Sequence, residues 1–404
     1  MAKKTIRDYD DFAGKKVLIR VDFNVPLDKK SGDGTITNDR RIRAALPTLQ
    51  YLLDRGACII AMSHLGRPTG DPKKDVSLRM DRVAVRLGEL LGKTVQQTGD
   101  TVVGPEVQAH LAKAKPGEVY LLQNLRFDAR EQTNDPDFAR AIADLGDIYV
   151  NDAFGTCHNE HDASMVAVPQ ALATNGNRPR LVGFLVEKEL RILDQLLTAP
   201  KRPFVGILGG GKVSDKIEFI KELMKRVDHI LIGGAMTYTF LKAQGINIGS
   251  SRCEADKLEL ANDLLALGKD KIILPIDHLI ADQPKTGANT KVVNGSIPDH
   301  WFGMDIGPET ISKYQEVISQ AGTVVWNGPM GMFEVNEFSK GTQAIGAAMS
   351  NSRAITVVGG GETAEAAEQF GYDSKMTHVS TGGGAFLSYI ENPDFPSLRA
   401  LENV

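Results

Sequence analysis

The segment 206–216, GILGGGKVSDK, combines residue types that bind phosphate. Gly206 and Gly211 have the spacing of the two glycines in a Walker phosphate loop, and Lys212 occupies the position of its lysine. A Walker loop continues with a serine or threonine whose hydroxyl binds magnesium, whereas this sequence continues with Val213. We therefore expect a loop that binds phosphate through glycines, Lys212 and Lys216, with a magnesium ligand from another segment.

Four further glycine-rich segments also follow apolar runs. They are GGAMTYTF (233–240), WNGPMGMFE (326–334), GGGETA (359–364) and STGGGAF (380–386). Glycine lets a ligand approach the backbone closely, and helix N-termini offer N–H groups to phosphate oxygens. One such segment could reflect only a tight turn, but five at strand ends predict a nucleotide-binding edge. A Rossmann dinucleotide fold is the alternative, although no clean GxGxxG with a suitable downstream acid is present.

Glu362, in the GGGETA segment, is the candidate magnesium ligand. It would stand at the start of a helix, close to the bound phosphates. Magnesium commonly takes one or two carboxylates together with phosphate oxygens and waters, so a single glutamate is sufficient. The alternative is an acid that only stabilises the helix N-terminus through the helix dipole.

In the first half of the chain, polar and largely basic residues follow the apolar runs. KVLIRV leads into DFN, ACIIAM into SHLGRP and EVYLLQ into NLRF, while RRIRAALPTL looks helical. Guanidinium groups suit carboxylates and phosphates, so basic groups at one sheet edge would form a pocket for a small phosphorylated acid. Each arginine taken alone could equally be a solvated loop residue. The candidates are Asp22, Asn24, Arg41, His64, Gly66, Arg67 and Arg126.

Strands and helices alternate along the chain, which indicates parallel sheets covered by helices on both faces. Apolar runs such as FVGIL and TVVW are separated by segments with helical spacing, such as DRVAVRLGELLG and TAEAAEQFG. These runs predict four or five strands in the first half and six in the second. At 404 residues the chain exceeds the usual size of one hydrophobic core, so we expect two α/β domains.

The composition argues against several other classes of protein. A net charge of −4 gives no support for a nucleic-acid-binding surface. The sequence has no signal-peptide pattern and no apolar run long enough for a membrane span, so we expect a cytoplasmic protein without membrane partners. The isolated Cys58, Cys157 and Cys253 are expected to be buried small hydrophobic residues.

Taken together, these segments resemble the phosphoglycerate kinase family over nearly the whole chain. The matching segments are RVDFNVPL, RIRAALPT, SHLGRP, NLRF, VNDAFGT, LVGFLVEKEL, GILGGGKVSDKI, IGGAMTYTF, IPDHWFGMDIGP, WNGPMGMFE, GGGET and HVSTGGGA. The resemblance implies two Rossmann-like, three-layer α/β/α lobes with parallel sheets, joined by a central hinge helix. It implies a 3-phosphoglycerate-binding lobe at 1–184 with about 388–404, a hinge helix at 185–200 and a nucleotide-binding lobe at 201–387.

The resemblance also implies an activity and a set of site residues. The reaction would be reversible transfer of the acyl phosphate of 1,3-bisphosphoglycerate to ADP, giving 3-phosphoglycerate and ATP, with Mg²⁺ and a monomeric enzyme. Arg41, Lys212 and Lys216 would be catalytic, and Glu334 would bind the ribose hydroxyls. The acid substrate would be held by Asp22, Phe23, Asn24, Arg41, His64, Leu65, Gly66, Arg67, Arg126 and Asn159. The nucleotide would be held by Gly211, Lys212, Lys216, Gly234, Asn327, Pro329, Gly331, Glu334, Gly360, Gly361, Glu362 and Thr363, with Glu362 on the metal.

Two positions depart from the family pattern. Where the family has an arginine that contacts the substrate phosphate, the segment CHNEH places Asn159, followed by Glu160. Losing that charged hydrogen bond would weaken substrate binding about ten- to a hundred-fold unless another base, such as Arg178 or Arg180, replaces it. Glu362 replaces the usual aspartate at the metal position. A regulatory homologue that binds nucleotide without turnover is therefore the alternative function.

Overall fold

The computed structural model describes residues 2–28 and 33–404, and the chain divides into two compact units. Unit 1 comprises Met1–Arg191 and Asp394–Val404, and unit 2 comprises Ile192–Pro393. The first boundary falls inside the helix Phe184–Thr198. No helix of the described residues is long and apolar enough to cross a membrane.

Unit 1 is built on a six-stranded parallel sheet with the strand order β3-β4-β2-β1-β5-β6. The central strand β1 is buried along almost its whole length, as expected of a parallel strand covered on both faces. The strands are β1 (Lys16–Val21), β2 (Cys58–Met62), β3 (Val95–Gln97), β4 (Val119–Leu121), β5 (Ile148–Asp152) and β6 (Arg180–Val182). The helices are α1 (Arg40–Asp54), α2 (Asp81–Leu91), α3 (Pro105–Leu111), α4 (Pro136–Ala143), α5 (Ala167–Thr174) and α6 (Phe184–Thr198), of which α6 crosses the boundary.

Unit 2 contains a second six-stranded parallel sheet, ordered β15-β14-β13-β7-β8-β9, and a three-stranded antiparallel sheet, ordered β11-β10-β12. Its strands are β7 (Phe204–Leu208), β8 (His229–Ile232), β9 (Ile272–Ile273), β10 (Asp277–Ala281), β11 (Thr290–Asn294), β12 (Phe302–Ile306), β13 (Thr323–Asn327), β14 (Ile355–Gly359) and β15 (His378–Val379). Its helices are α7 (Ile217–Met224), α8 (Met236–Ala243), α9 (Leu258–Gly268), α10 (Pro308–Gln320), α11 (Lys340–Asn351), α12 (Gly361–Gln369) and α13 (Gly383–Glu391).

The last residues of the chain belong to unit 1 and include the short helix α14 (Pro396–Arg399). The Ser397 hydroxyl donates a hydrogen bond to the carbonyl of Cys157 at 2.6 Å. The backbone N–H of Glu402 donates to the carbonyl of Arg180 at 3.0 Å, beside β6. The C-terminal segment therefore completes the edge of the unit 1 sheet.

The prediction of two parallel α/β sheets is confirmed, and every predicted strand is present. The expectation of four or five strands in the first half was too low, because β3 and β6 have three residues each and lack the long apolar pattern of the inner strands. The antiparallel sheet was also not predicted. One of its two outer strands, β11, is mostly exposed and carries no continuous apolar run.

Candidate functional site

Each parallel sheet has a point at which the strand order reverses. In unit 1, β1 lies between β2 and β5, and in unit 2, β7 lies between β8 and β13. The chain continues from β1 to β2 and from β7 to β8 on one side of each starting strand. The strands β5 and β6, and β13 to β15, are added on the other side. A crevice opens at such a point beyond the carboxyl ends of the strands, and ligands of open α/β sheets bind there.

Asp22 follows β1 at this edge of unit 1 and forms an ion pair with Arg41, the second residue of α1. The distance from Arg41 Nη1 to Asp22 Oδ2 is 2.5 Å, and the carboxylate is buried while the guanidinium is partly exposed. Burial opposes ionisation of Asp22, but the neighbouring charge of Arg41 holds the pKa of the carboxyl below its ordinary value. Asp22 thus orients a guanidinium whose remaining donors stay available to an anion.

His64 follows β2 and is held by Arg20, a fully buried residue of β1. Arg20 Nη2 lies 3.1 Å from His64 Nδ1. Arginine has donors only, so Nδ1 must accept and the ring carries its proton on Nε2. Burial, with Arg20 beside it, lowers the pKa of His64 to about 3, so the ring stays neutral at physiological pH. It can therefore donate one hydrogen bond from Nε2.

Arg20 is in turn connected to a buried carboxyl group through Ser164. Arg20 Nε donates to Ser164 Oγ at 2.9 Å, and Ser164 donates to Glu131 from its hydroxyl at 2.5 Å and its backbone N–H at 2.9 Å. Burial raises the pKa of Glu131 to about 7. The sequence patterns did not identify Arg20 or Glu131 as candidate site residues. A charged residue inside the apolar run KVLIRV was the one signal that could have indicated Arg20.

Arg126 is tied to the loop after β2. Its Nη1 donates to the carbonyl of Gly66 at 3.1 Å, and the N–H of Gly66 donates to Asn24 Oδ1 at 2.8 Å. Arg126 Nε is buried and has no hydrogen-bond partner among residues 2–28 and 33–404. Burial lowers the pKa of this guanidinium, while the charge of Asp162 acts in the opposite direction. An unpaired donor of this kind fits an anionic ligand.

The remaining predicted residues of unit 1 differ in how they are placed. Phe23 is buried, and its N–H donates to Ser63 Oγ at 2.9 Å; the N–H of Leu65 donates to Asn124 Oδ1 at 3.1 Å. Both residues support the backbone of the loops. Arg67 is exposed, and its charge contributes to the lowered pKa of Arg126.

Asn159 is paired with an acid that the sequence reasoning did not single out. Its Nδ2 donates to Asp162 Oδ2 at 2.8 Å, and Asp162 is itself buried. The same carboxylate acts electrostatically on Arg126. The amide at position 159 therefore belongs to a small acidic cluster rather than facing the site as an independent donor.

Arg178 and Arg180, which the sequence left open as replacements for the family arginine, bond to groups elsewhere in unit 1. Arg178 Nη1 donates to the carbonyls of Ala143 and Gly146, each at 2.7 Å. Arg180 is the first residue of β6, and its Nη2 lies 3.8 Å from Glu402 Oε1. Because β6 is parallel to β5, its first residue lies at the amino ends of the strands. The candidate site lies at their carboxyl ends.

In unit 2, Lys216 occupies the corresponding point of the second sheet. Its Nζ donates to the carbonyl of Gly209 at 2.7 Å and to that of Asn327 at 3.0 Å. These carbonyls stand at the carboxyl ends of β7 and β13. Burial lowers the pKa of Lys216 to about 8, while the charge of Glu362 acts against this shift. The ammonium group is thus positioned at the switch point with one free direction for a ligand.

A cavity of about 520 Å³ opens beside this lysine. Glycine is necessary along its floor, because a Cβ at Gly234 would lie 2.4 Å from the backbone nitrogen of Gly210. One wall carries the aromatic and apolar residues Tyr238, Phe302 and Met304. Of the predicted nucleotide residues, those that line the cavity are Gly211, Gly234, Pro329, Gly331, Glu334 and Glu362.

The other predicted residues of unit 2 do not line this cavity. Asn327 Nδ2 donates to the carbonyl of Gly359 at 2.9 Å, and Thr363 Oγ1 accepts from the N–H of Gly328 at 2.6 Å. Gly360, with a positive φ of 98°, precedes α12, which begins at Gly361. Lys212 is exposed and lies outside the residues that line the cavity. Its charge contributes to the lowered pKa of Glu254.

Glu254 supports the phosphate loop and was not predicted. Its Oε2 accepts from the N–H groups of Val213 at 2.6 Å and Ser214 at 3.1 Å, and its Oε1 accepts from the Ser214 hydroxyl at 2.5 Å. These bonds satisfy two backbone donors at the turn that leads into α7. Glu254 therefore fixes the loop that carries Lys212 and Lys216.

The residues of this cavity fit magnesium bound together with a nucleotide. Glu362 lines the cavity in the first turn of α12 and contributes one carboxylate. The described part of the chain contains no group of three or more His, Cys, Asp or Glu residues arranged for a metal ion. A cation here would therefore need phosphate oxygens and water as its other ligands, which is the coordination that magnesium prefers.

The two doubly wound sheets, one with a basic cluster and one with a glycine-lined cavity, define a two-unit α/β phosphotransferase. The family model for phosphoglycerate kinase matches residues 6–392, which is most of the chain. This chain belongs to the phosphoglycerate kinase family.

Curated relatives and solved structures agree with this assignment. The chain is 49% identical over 410 residues to a phosphoglycerate kinase of Chloroherpeton thalassium, and the match covers 100% of both chains. It is 50% identical over 405 residues to one of Rhodopirellula baltica, again with 100% of both covered. The phosphoglycerate kinase structure from Coxiella burnetii has a TM-score of 0.86 at 36% identity and 98% coverage of each chain. That from Pyrococcus horikoshii has a TM-score of 0.84 at 30% identity, also with 98% coverage of each chain.

Proposed function

We propose that this chain is a glycolytic kinase. It transfers the acyl phosphate of 1,3-bisphosphoglycerate reversibly to ADP and forms 3-phosphoglycerate and ATP. The relatives support this activity because they are named phosphoglycerate kinase and match over the whole chain. The alternative of a regulatory homologue without turnover has no support in these comparisons. A cytoplasmic location and a monomeric state remain part of the proposal.

The observation that carries the proposal is the position of Lys216. Its ammonium group bridges carbonyls at the ends of β7 and β13, beside a cavity lined by glycine. A phosphoryl group bound there would meet a fixed positive charge where its negative charge is spread over three oxygens. We assign Lys216 to the transferring phosphoryl group and Lys212 to the nucleotide phosphates nearby.

Unit 1 is proposed to bind the phosphorylated acid. Arg41 is oriented by Asp22, His64 offers Nε2–H, and Arg126 has a buried donor without a partner in the described chain. These groups suit an anion with carboxylate and phosphate ends. We assign the acid and its phosphate to Asp22, Phe23, Asn24, Arg41, His64, Leu65, Gly66, Arg67 and Arg126, with Asn159 as a weakened contact.

Unit 2 is proposed to bind the nucleotide. Glu334 would accept the ribose hydroxyls, and the backbone of the glycine-rich segments would face the phosphates. When bound, magnesium supplies charge neutralisation on phosphate oxygens, and Glu362 is its protein ligand. The other nucleotide contacts that we propose are Gly211, Gly234, Asn327, Pro329, Gly331, Gly360, Gly361 and Thr363.

The reaction needs positioning more than proton transfer. The carboxylate of 3-phosphoglycerate is ionised at neutral pH, so it attacks the phosphoryl group without a general base. Arg41 and Lys216 would neutralise charge while the attacking and leaving oxygens are held in line. We further propose that a hinge movement at α6 brings the two substrates together and excludes water, which would otherwise hydrolyse the acyl phosphate.

The test is a coupled assay of ATP-dependent phosphorylation of 3-phosphoglycerate with Lys216→Met. We expect at least about a hundred-fold loss of kcat, because a charge that acts on the transition state is removed. Lys221→Met is the matched control, since Lys221 is partly exposed on the adjacent helix α7 and pairs only with Glu218 among the described residues. Wild-type protein that binds MgADP but shows no turnover would overturn the proposal in favour of the regulatory homologue.

A further inference from the structure

Arg252 is a cation in the wall of the nucleotide cavity to which the roles above assign nothing. It lines the cavity, and a Cβ at Gly211 would lie 3.3 Å from Arg252 Nη1. Its side chain is exposed, and it forms no hydrogen bond or ion pair with any residue in the described ranges 2–28 and 33–404. Five donors of its guanidinium are therefore available to a ligand.

The backbone on both sides of Arg252 is fixed. The N–H of Ser250 donates to the carbonyl of Trp301 at 2.8 Å, and Ser251 Oγ accepts from the N–H of Gly303 at 2.9 Å. On the other side, the N–H of Glu254 donates to Thr239 Oγ1 at 3.1 Å. Arg252 therefore projects from an anchored segment rather than from a loose loop.

Arg252 lines the same cavity as the apolar residues Tyr238, Phe302 and Met304, and its guanidinium lies beside Gly211. The segment 250–251 bonds to the start of β12, which contributes Phe302 and Met304 to the wall. Lys216 instead bonds carbonyls at the ends of β7 and β13 and does not line the cavity. If the phosphates lie at Lys216, the apolar part of the cavity receives the base.

We propose that Arg252 determines base specificity and lets this cavity bind 6-oxopurine nucleotides as well as adenine nucleotides; the inference rests on the proposed function. Guanine and hypoxanthine present two acceptors, O6 and N7, on one edge. Adenine presents N7 beside an amino group, which is a donor like those of arginine. A guanidinium can donate to both acceptors of a 6-oxopurine but to only one of adenine.

The test measures dissociation constants of ADP, GDP and IDP with magnesium, by calorimetric titration of the full-length wild type, Arg252→Leu and Arg252→Lys. We expect GDP and IDP to bind the wild type within about three-fold of ADP. In Arg252→Leu both should weaken about ten-fold relative to ADP. IDP lacks the 2-amino group, so parallel behaviour of IDP and GDP identifies O6 as the recognised atom. Lysine keeps the charge without the planar fork and should restore little of the preference.

Lys257→Leu is the matched control, because it removes a positive charge from the same segment outside the residues that line the cavity. It should leave the GDP-to-ADP ratio unchanged. An equal ratio in wild type and Arg252→Leu overturns the inference, and so does an equal weakening of all three nucleotides, which would indicate a phosphate contact. The result is separable from the proposed function, because that function fails when the wild type does not phosphorylate 3-phosphoglycerate, whichever base its cavity prefers.

Discussion

At the scale of single residues, the effect of Asn159 in place of the family arginine depends on its neighbour Asp162. The amide donates to a buried carboxylate at 2.8 Å, and that carboxylate also acts on Arg126. An arginine introduced at position 159 would meet the acid before it meets the substrate. The consequence of the substitution therefore depends on two residues, and only a double-mutant cycle can separate them.

We predict that Asn159→Arg alone lowers the apparent KM for 3-phosphoglycerate by less than about three-fold, because the new guanidinium pairs with Asp162. Asn159→Arg combined with Asp162→Asn should lower it by about ten-fold, since the guanidinium is then free to bind phosphate. Steady-state kinetics with varied 3-phosphoglycerate measure both, with Asp162→Asn alone as control. Additive effects in the cycle would contradict this coupling.

A second prediction at this scale concerns the pH dependence of nucleotide binding. The pKa of Lys216 is lowered to about 8 by burial, so the free protein carries the charge below this pH and loses it above. Near pH 7 the ADP affinity should therefore be close to its maximum, and it should fall by up to about ten-fold per pH unit above pH 8. Titrations across this range measure the effect, and Lys216→Arg should remove the dependence.

Adenosine serves as the ligand control for this pH series, because it has no phosphate to meet the ammonium group. Its affinity should not change between pH 7 and pH 9. If adenosine and ADP weaken in parallel, another group or a general loss of structure is responsible, and the assignment of Lys216 is wrong.

At the scale of elements, Glu254 holds the glycine-rich loop that leads into α7. Its carboxylate accepts two backbone N–H groups and a hydroxyl. We predict that Glu254→Ala raises the KM for ATP about ten-fold or more, because charge-assisted hydrogen bonds to an otherwise unpaired backbone are lost. The KM for 3-phosphoglycerate should stay unchanged, since that ligand is assigned to unit 1.

Glu259→Ala is the control for this experiment, as Glu259 is an exposed residue of the neighbouring helix α9. It should leave both KM values unchanged. A rise in both KM values with Glu254→Ala would point to a general loss of stability rather than to loop order.

The sequence predicted the strands well where a clear apolar run is followed by residues that can bind a ligand. Apolar runs rich in Val and Ile located the inner strands, and the residues that follow them located the two candidate sites. The pairings Arg20–His64, Asn159–Asp162 and Glu254–Ser214 were not predictable, because each depends on how the side chains pack in the folded chain. Edge strands such as β3 and β11 were missed because they are short or exposed and carry little apolar signal.

At the scale of the whole molecule, each unit holds its own cluster of candidate residues, and the C-terminal segment is part of unit 1. Phe395, Leu398 and Leu401 are buried, and the backbone of Glu402 bonds to residues at both Lys4 and Arg180. Residues 2–4 and 402–404 thus meet at one edge of the sheet that carries Asp22. Loss of residues 394–404 should therefore weaken binding of 3-phosphoglycerate and leave nucleotide binding unchanged.

We predict that deletion of residues 394–404 destabilises unit 1 by about 4.5–9 kcal/mol, because three buried apolar side chains each contribute about 1.5–3 kcal/mol. Calorimetry should show a lower unfolding temperature, and the affinity for 3-phosphoglycerate should fall, while MgADP binding is retained. Deletion of Val404 alone is the control, because this residue is 86% exposed and should leave both affinities unchanged. The site for MgADP is assigned wholly to residues of unit 2. An equal loss of MgADP and 3-phosphoglycerate binding would therefore contradict the prediction, because it would show that unit 2 also depends on residues 394–404.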